Sequence, residues 1–139
     1  MADITIFTDG GARGNPGPAG SGAVVYDGTK LVAEISQYLG IQTNNFAEYE
    51  ALLLALRKTV ELFGSPVPHP VLVKMDSELI VKQMTGEYKV KNPVLKEKNT
   101  RVRMLIAESI PHISFRHIPR EENSEADALA NAAMDRGVV

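Results

Sequence analysis

Apolar and polar positions divide the chain into short strand-like runs, then longer stretches with helical spacing. Asp3–Thr8 is rich in Ile, Thr and Phe and predicts a strand that ends at Asp9. Gly10–Pro18 carries four glycines and two prolines and reads as a loop. A second strand is expected over Gly20–Tyr26, with Asp27-Gly28 as a hairpin signal. The third strand, Leu31–Leu39, alternates Leu31, Ala33 and Ile35 against Val32, Glu34 and Ser36, which predicts one face on a core. From Thr43-Asn44-Asn45 to Phe63 the pattern becomes helical, with Phe46, Tyr49, Leu53, Leu56, Val60 and Phe63 on one stripe and Gly64 as the stop. Three prolines within Pro66–Pro70 make a connector. Val71–Met75 is a short buried strand ending at Asp76, and Ser77–Met84 a short helix. Asn92-Pro93 caps a helix running to about Glu108, with Leu95, Val102 and Leu105 inward. Ile113–Ile118 is the last strand, and Asn123-Ser124 caps a final helix packed through Ala126, Leu129, Ala130 and Ala133. The order βββαβααβα predicts an α/β fold, a mixed sheet with helices packed on it.

Length and composition narrow the class. With 139 residues, 44% hydrophobic and 23% charged, the chain fits one domain over 1–139 with a single core. The longest uncharged apolar run, Ala51–Leu56, is far short of the ~20 residues of a membrane span. The absence of cysteine excludes a disulfide framework, a thiolate metal site and a thiol nucleophile. Nothing in Met1–Ile4 suggests export, so a cytoplasmic monomer is the default expectation. A net charge of −2 argues against non-specific coating of nucleic acid but leaves room for a nucleic-acid enzyme whose acids hold cations. His69, His112 and His117 are too widely spread to suggest a helical zinc pair.

Four acids stand where chemistry is plausible, and each also has a plain structural reading. Asp9 and Asp76 follow apolar strands, where ligands gather in open α/β sheets and where aspartates also cap turns. Glu48 has capping-box spacing from Asn45, and Asp127 in the first turn of the last helix complements its dipole. The Gly-rich segment lacks both the spacing of a dinucleotide fingerprint and the Gly-Lys-Ser/Thr of a P-loop.

Joint context decides between these readings. The segment Thr8–Pro18, the helix start Thr43-Asn44-Asn45-Phe46-Ala47-Glu48, Met75-Asp76-Ser77, and His117 followed by Asn123–Ala130 resemble, in order, the four motifs of type 1 ribonuclease H. The resemblance covers nearly the whole chain. It implies a ribonuclease H-like fold with a five-stranded mixed sheet, and an endonuclease that cuts the RNA strand of RNA/DNA hybrids to leave 5′-phosphate and 3′-hydroxyl ends. It also implies that Asp9, Glu48, Asp76 and Asp127 converge, Asp9 bridging two ions, Glu48 and Asp76 completing one site and Asp127 helping with the other. Converging carboxylates need a compensating cation, and a set of hard oxygens favours two Mg²⁺, or Mn²⁺ in their place. Ions ~3.5–4 Å apart activate a water and stabilise the leaving oxygen of a phosphodiester.

His117 matches a histidine that shuttles a proton or assists product release, although a half-buried strand-end histidine is an equal reading. Gly11, Ala12, Asn15, Asn44 and Asn45 resemble the family's minor-groove contacts, suited to a 2′-hydroxyl, and Thr43 a contact to DNA phosphate. Helix capping is the alternative for the two asparagines at the helix start. Between Met84 and Leu95 the chain departs from relatives that carry a basic, tryptophan-containing protrusion. Tyr88 and a strip of Lys89, Lys91, Lys96, Lys98, Arg101 and Arg103 could replace it in part, or form an ordinary solvated face. Two rival functions stay in view: a catalytically silent nucleic-acid-binding module, and a nuclease or phosphoesterase acting on DNA or small esters.

Overall fold

In the computed structural model, which describes residues 3–137, five strands form one mixed sheet. The elements are β1 (Ile4–Ala12), β2 (Gly17–Asp27), β3 (Lys30–Gln42), α1 (Asn44–Phe63), β4 (Val71–Met75), α2 (Glu78–Thr85), α3 (Pro93–Ser109), β5 (Ile113–His117) and α4 (Ser124–Gly137). A 3-10 turn, Arg120–Glu122, precedes α4. The strand order is β3-β2-β1-β4-β5, antiparallel on the β1–β2–β3 side and parallel on the β1–β4–β5 side. This is the sheet that the motif resemblance implies.

Alternation builds the core. Ile4, Ile6, Val71, Val73 and Met75 point to one face of β1 and β4, where Tyr49, Leu52, Leu53 and Leu56 of α1 cover them. The buried arc of α1 is wider than the single stripe read from the sequence, because Ala51, Ala55 and Thr59 are buried as well. α4 lies on the opposite face of the sheet. The change of face is visible at two adjacent residues of β2: the Ser21 hydroxyl donates to Ala47 O on α1, while Gly22 lies against Ala126 of α4.

Three sequence expectations change here. β1 does not end at Asp9 but continues through Gly11 and Ala12, and β2 begins at Gly17, so only residues 13–16 turn. Glycine reads as a loop signal, yet Gly10, like Gly20 and Gly22 of β2, is in a strand where a helix lies too close for a side chain. A Cβ on Gly10 would meet the Ala47–Glu48 backbone, one on Gly22 the Ala126 carbonyl, and one on Gly20 would sit 2.6 Å from Ala130 O. β3 loses its clean alternation: register shifts at Ala19/Gly20 and Val25/Tyr26 leave Leu31 40% exposed and bring Val32 toward the core. Finally, the Asn123 side chain caps nothing; its Nδ2 donates across to Thr8 O of β1 at 2.8 Å.

Part of the expected basic strip is committed internally. Arg103 donates to Asn99 Oδ1 and to the last carbonyls of α2, Gln83 O and Met84 O. Asn99 in turn donates to Tyr49 O–H, which donates to Gln83 Oε1, joining α1, α2 and α3 through buried polar groups. Lys98 pairs with Glu50 and Arg101 with Glu97. Lys89, Lys91 and Lys96 are exposed, and Tyr88 lies under the Lys82 ammonium, 5.0 Å from its ring centre.

Candidate active site

The parallel ladder between β1 and β4 ends at the pair Thr8 and Met75. One residue further on, Asp9 and Asp76 stand side by side, so the shared site lies at the end of the parallel pairing and not at the end of β1. Glu48 comes up from the first turns of α1, which the missing Cβ of Gly10 lets lie directly on β1. Oxygens of Asp9, Glu48 and Asp76 lie within 4.8 Å of one another, the one such acid cluster among the described residues.

The structural readings of these acids do not hold. Thr43, not Asn44 or Asn45, caps α1, its Oγ1 accepting from Phe46 N. Glu48 does not reach back to the helix start; its Oε1 accepts from Gly10 N at 2.9 Å. Ser77, not Asp76, caps α2. Freed from capping, the carboxylates face each other.

That proximity costs energy. Burial pushes the Asp9 carboxyl up from 3.8 to about 7; a hydrogen bond with Glu48 opposes the rise, and the charge of Asp76 and the hydrogen bond and charge of Asp127 add to it. Burial also holds Glu48 well above the usual carboxylate range, and the charge of Asp9 reinforces it while the Gly10 N–H opposes. Glu48 Oε2 is buried without a hydrogen-bond partner among the described residues. An orphaned oxygen facing two more carboxylates, with no imidazole or sulfur among the donors, fits a hard divalent cation such as Mg²⁺ or Mn²⁺.

Asp127, on the first turn of α4, lines the same cleft of about 540 Å³ from the far face of the sheet, outside the three-acid cluster. Gly11, Ala12, Asn44 and Asn45 line it too. Asn15 is held at its edge, its Oδ1 accepting from Asn44 N at 3.0 Å, while Asn44 Oδ1 accepts from Ala12 N at 2.8 Å. Thr43 stands just outside the lining as the cap of α1.

His117 is not brought into the cleft. It is exposed at the end of β5 beside Met75, outside the lining and toward α2. There Glu78 is lowered chiefly by its hydrogen bond with Lys82, with a smaller effect from His117. The cleft instead contains cations that sequence reasoning did not select. Arg13 is paired with Asp135 at 2.6 Å, whereas Arg120 has no ion pair among the described residues. No sequence signal separates Arg120 from an ordinary surface arginine, since only the 3-10 turn brings it over the cleft. Ser77, Ala130, Asn131 and Met134 complete the wall.

A family model described as reverse transcriptase-like matches residues 7–133. An RNase H1 isolated from compost by a metagenomic approach is 51% identical, with a TM-score of 0.93 over the full length of both chains. The same protein has been crystallised in complex with an RNA/DNA hybrid, and that structure matches with a TM-score of 0.94 over 99% of this chain and all of that one. Ribonuclease HI of Halobacterium salinarum is 42% identical over 133 residues, 95% of this chain and 64% of that protein. A bifunctional protein of Mycobacterium tuberculosis is 44% identical over 134 residues, again 95% of this chain. The chain spans only 35% of that longer protein. No helix among the described residues is long and apolar enough to cross a membrane. Motif order, sheet topology and near-complete alignment agree, and the chain belongs to the type 1 ribonuclease H family.

Proposed function

We propose that this chain is a metal-dependent endonuclease that hydrolyses the RNA strand of RNA/DNA hybrids. The observation that carries the reading is the cluster of Asp9, Glu48 and Asp76 within 4.8 Å at the floor of an open cleft. The hybrid bound by the compost relative supports the substrate class.

Asp9, Glu48 and Asp76 would hold one Mg²⁺, and Asp9 with Asp127 a second. When bound, such ions supply Lewis acidity toward the attacking water and the leaving oxygen. The chain's own residues do the rest. Glu48 is fixed by the Gly10 N–H, so its free oxygen faces the other acids without a search through rotamers. The side-chain oxygens of Asn15 and Asn44 are taken by backbone N–H groups, which leaves their Nδ2 groups as donors suited to a ribose 2′-hydroxyl. The Thr43 hydroxyl accepts from Phe46 N and keeps its proton for a phosphate oxygen of the DNA strand. Arg120, without an acid partner among the described residues, supplies positive charge at the cleft for the phosphate that is cut. The expected products carry 5′-phosphate and 3′-hydroxyl ends.

The test is incubation of labelled hybrid, duplex DNA, duplex RNA and a phosphate monoester with Mg²⁺, Mn²⁺ or EDTA. Cutting confined to the RNA of the hybrid and abolished by EDTA supports the reading. Binding without cutting would make the chain a silent binding module, and hydrolysis of DNA or monoester a broader phosphoesterase.

A further inference from the structure

Asn123 is 1% exposed and sits where a helix cap belongs, yet its side-chain oxygen has no hydrogen-bond partner among the described residues. A forgone cap costs stability, and a buried unpartnered oxygen adds to that cost. Three bonds of Asn123 offset it, and each ends beside a cleft residue. Its Nδ2 donates to Thr8 O, the residue before Asp9, at 2.8 Å. Its carbonyl accepts from Asp127 N at 3.1 Å, and its own N–H donates to Arg120 O at 3.0 Å. One side chain thus ties the start of α4 to β1 where the two elements carrying Asp127 and Asp9 meet.

We infer that Asn123 is a positioning residue for the cation site, setting the distance of Asp127 from Asp9 across the end of the sheet. The inference rests on the proposed metal-dependent reading. Asp9, Glu48 and Asp76 lie on elements packed on one another around β1, and Gly10 locks two of them together. Asp127 alone comes from the opposite layer, so its place depends on how α4 is docked. Other ties of α4 reach elements other than β1: at its start Tyr26 O–H of β2 donates to Glu125 at 2.6 Å, and farther along Ser36 Oγ of β3 donates to Leu129 O and Arg136 donates to Ser36. Among the described residues, Asn123 Nδ2 to Thr8 O is the hydrogen bond that joins the start of α4 to the main chain of β1.

The experiment measures the Mg²⁺ dependence of the melting temperature, without substrate, alongside Mg²⁺-dependent cleavage. Wild type is compared with Asn123→Ala, with the near-isosteric Asn123→Asp, and with Ser36→Ala, which loosens α4 away from the cleft. Both Asn123 variants should need about tenfold more Mg²⁺ for half-effect in both readouts, the scale of losing a group that orients a ligand. Ser36→Ala should lose melting temperature but keep the wild-type Mg²⁺ requirement. If Asn123→Ala does not fold, Asn123→Asp decides alone. A Mg²⁺ requirement within twofold of wild type in the Asn123 variants, or the same increase in Ser36→Ala, overturns the inference while leaving the metal reading intact. A wild-type protein whose melting temperature and cleavage ignore Mg²⁺ overturns both.

Discussion

The two halves of the cleft are built by different means. On the β1–α1–β4 side, Asp9, Glu48 and Asp76 are held by main-chain geometry: the last rung of a parallel ladder, a helix pressed onto a glycine, and one backbone N–H shared by Asp9 Oδ1 and Glu48 Oε1. On the β5–α4 side, His117 ends β5 outside the cleft, while Arg120 and Asp127 follow on a 3-10 turn and the first turn of α4, tied to β1 by the Asn123 side chain. The first half concentrates charge repulsion in a rigid frame. The second brings its groups from the opposite layer, where their place depends on how α4 is docked on the sheet.

The largest effect should therefore come from the rigid half. Asp9→Asn should lower Mg²⁺-dependent cleavage by on the order of a thousandfold, the scale of removing a group that acts in the transition state, with an unchanged circular dichroism spectrum. Activity near wild type in that variant would refute the assignment. Gly10→Ala should come next, because its methyl meets the Ala47–Glu48 backbone. A loss of about 1–3 kcal/mol of stability is expected from denaturant unfolding, together with weaker Mg²⁺ binding.

The repulsion has a sign that pH can reveal. The Asp9 carboxyl is raised from 3.8 to about 7, so the folded metal-free protein holds a proton that the unfolded chain releases. Its stabilising contribution is full below about 3.8 and is lost as pH rises through about 7. Melting temperature in EDTA should fall by several degrees across that window, saturating Mg²⁺ should flatten the fall, and Glu48→Gln should raise the neutral-pH value in EDTA. A flat profile in EDTA would mean that the acids do not interact.

In the looser half the effects should be smaller. Arg120→Ala should reduce kcat/KM by roughly tenfold, the scale of one charge-assisted hydrogen bond. His117→Ala should cost less than any metal-ligand substitution and less than Arg120→Ala, because His117 stands outside the cleft. Steady-state kinetics on one hybrid ranks the two, and the reverse order would show that His117 swings inward when substrate binds.

The same division governs what the sequence could tell. The α1 and α3 spans were legible from apolar spacing and from the caps Gly64 and Asn92, both of which the structure bears out. The convergence of Asp9, Glu48 and Asp76 was legible only through the order of motifs, since Glu48 alone reads as a capping box and Asp76 as a turn residue. What stayed hidden was whatever depends on contacts between distant segments. Gly10 and Gly11 read as loop because glycine does not say whether it answers to a turn or to a neighbouring helix. Asn123 read as a cap because its true partner lies 115 residues away. Arg120 and His117 exchange prominence for the same reason: local sequence fixes that each follows or ends a strand, not which way the chain turns next.

The glycines of β1 and β2 set the thickness of the molecule. Gly10 on one side and Gly20 and Gly22 on the other remove the layer of side chains that normally separates a sheet from its helices. At this end of the sheet, then, α1 and α4 are spaced by little more than a single backbone. Across so thin a wall a glutamate from one layer and a shorter aspartate from the other reach round a strand end into the same cleft. Adding methyl groups at these positions would thicken the wall and separate the two acids, so the spacing of charge in the cleft is written in residues that carry no charge and no side chain.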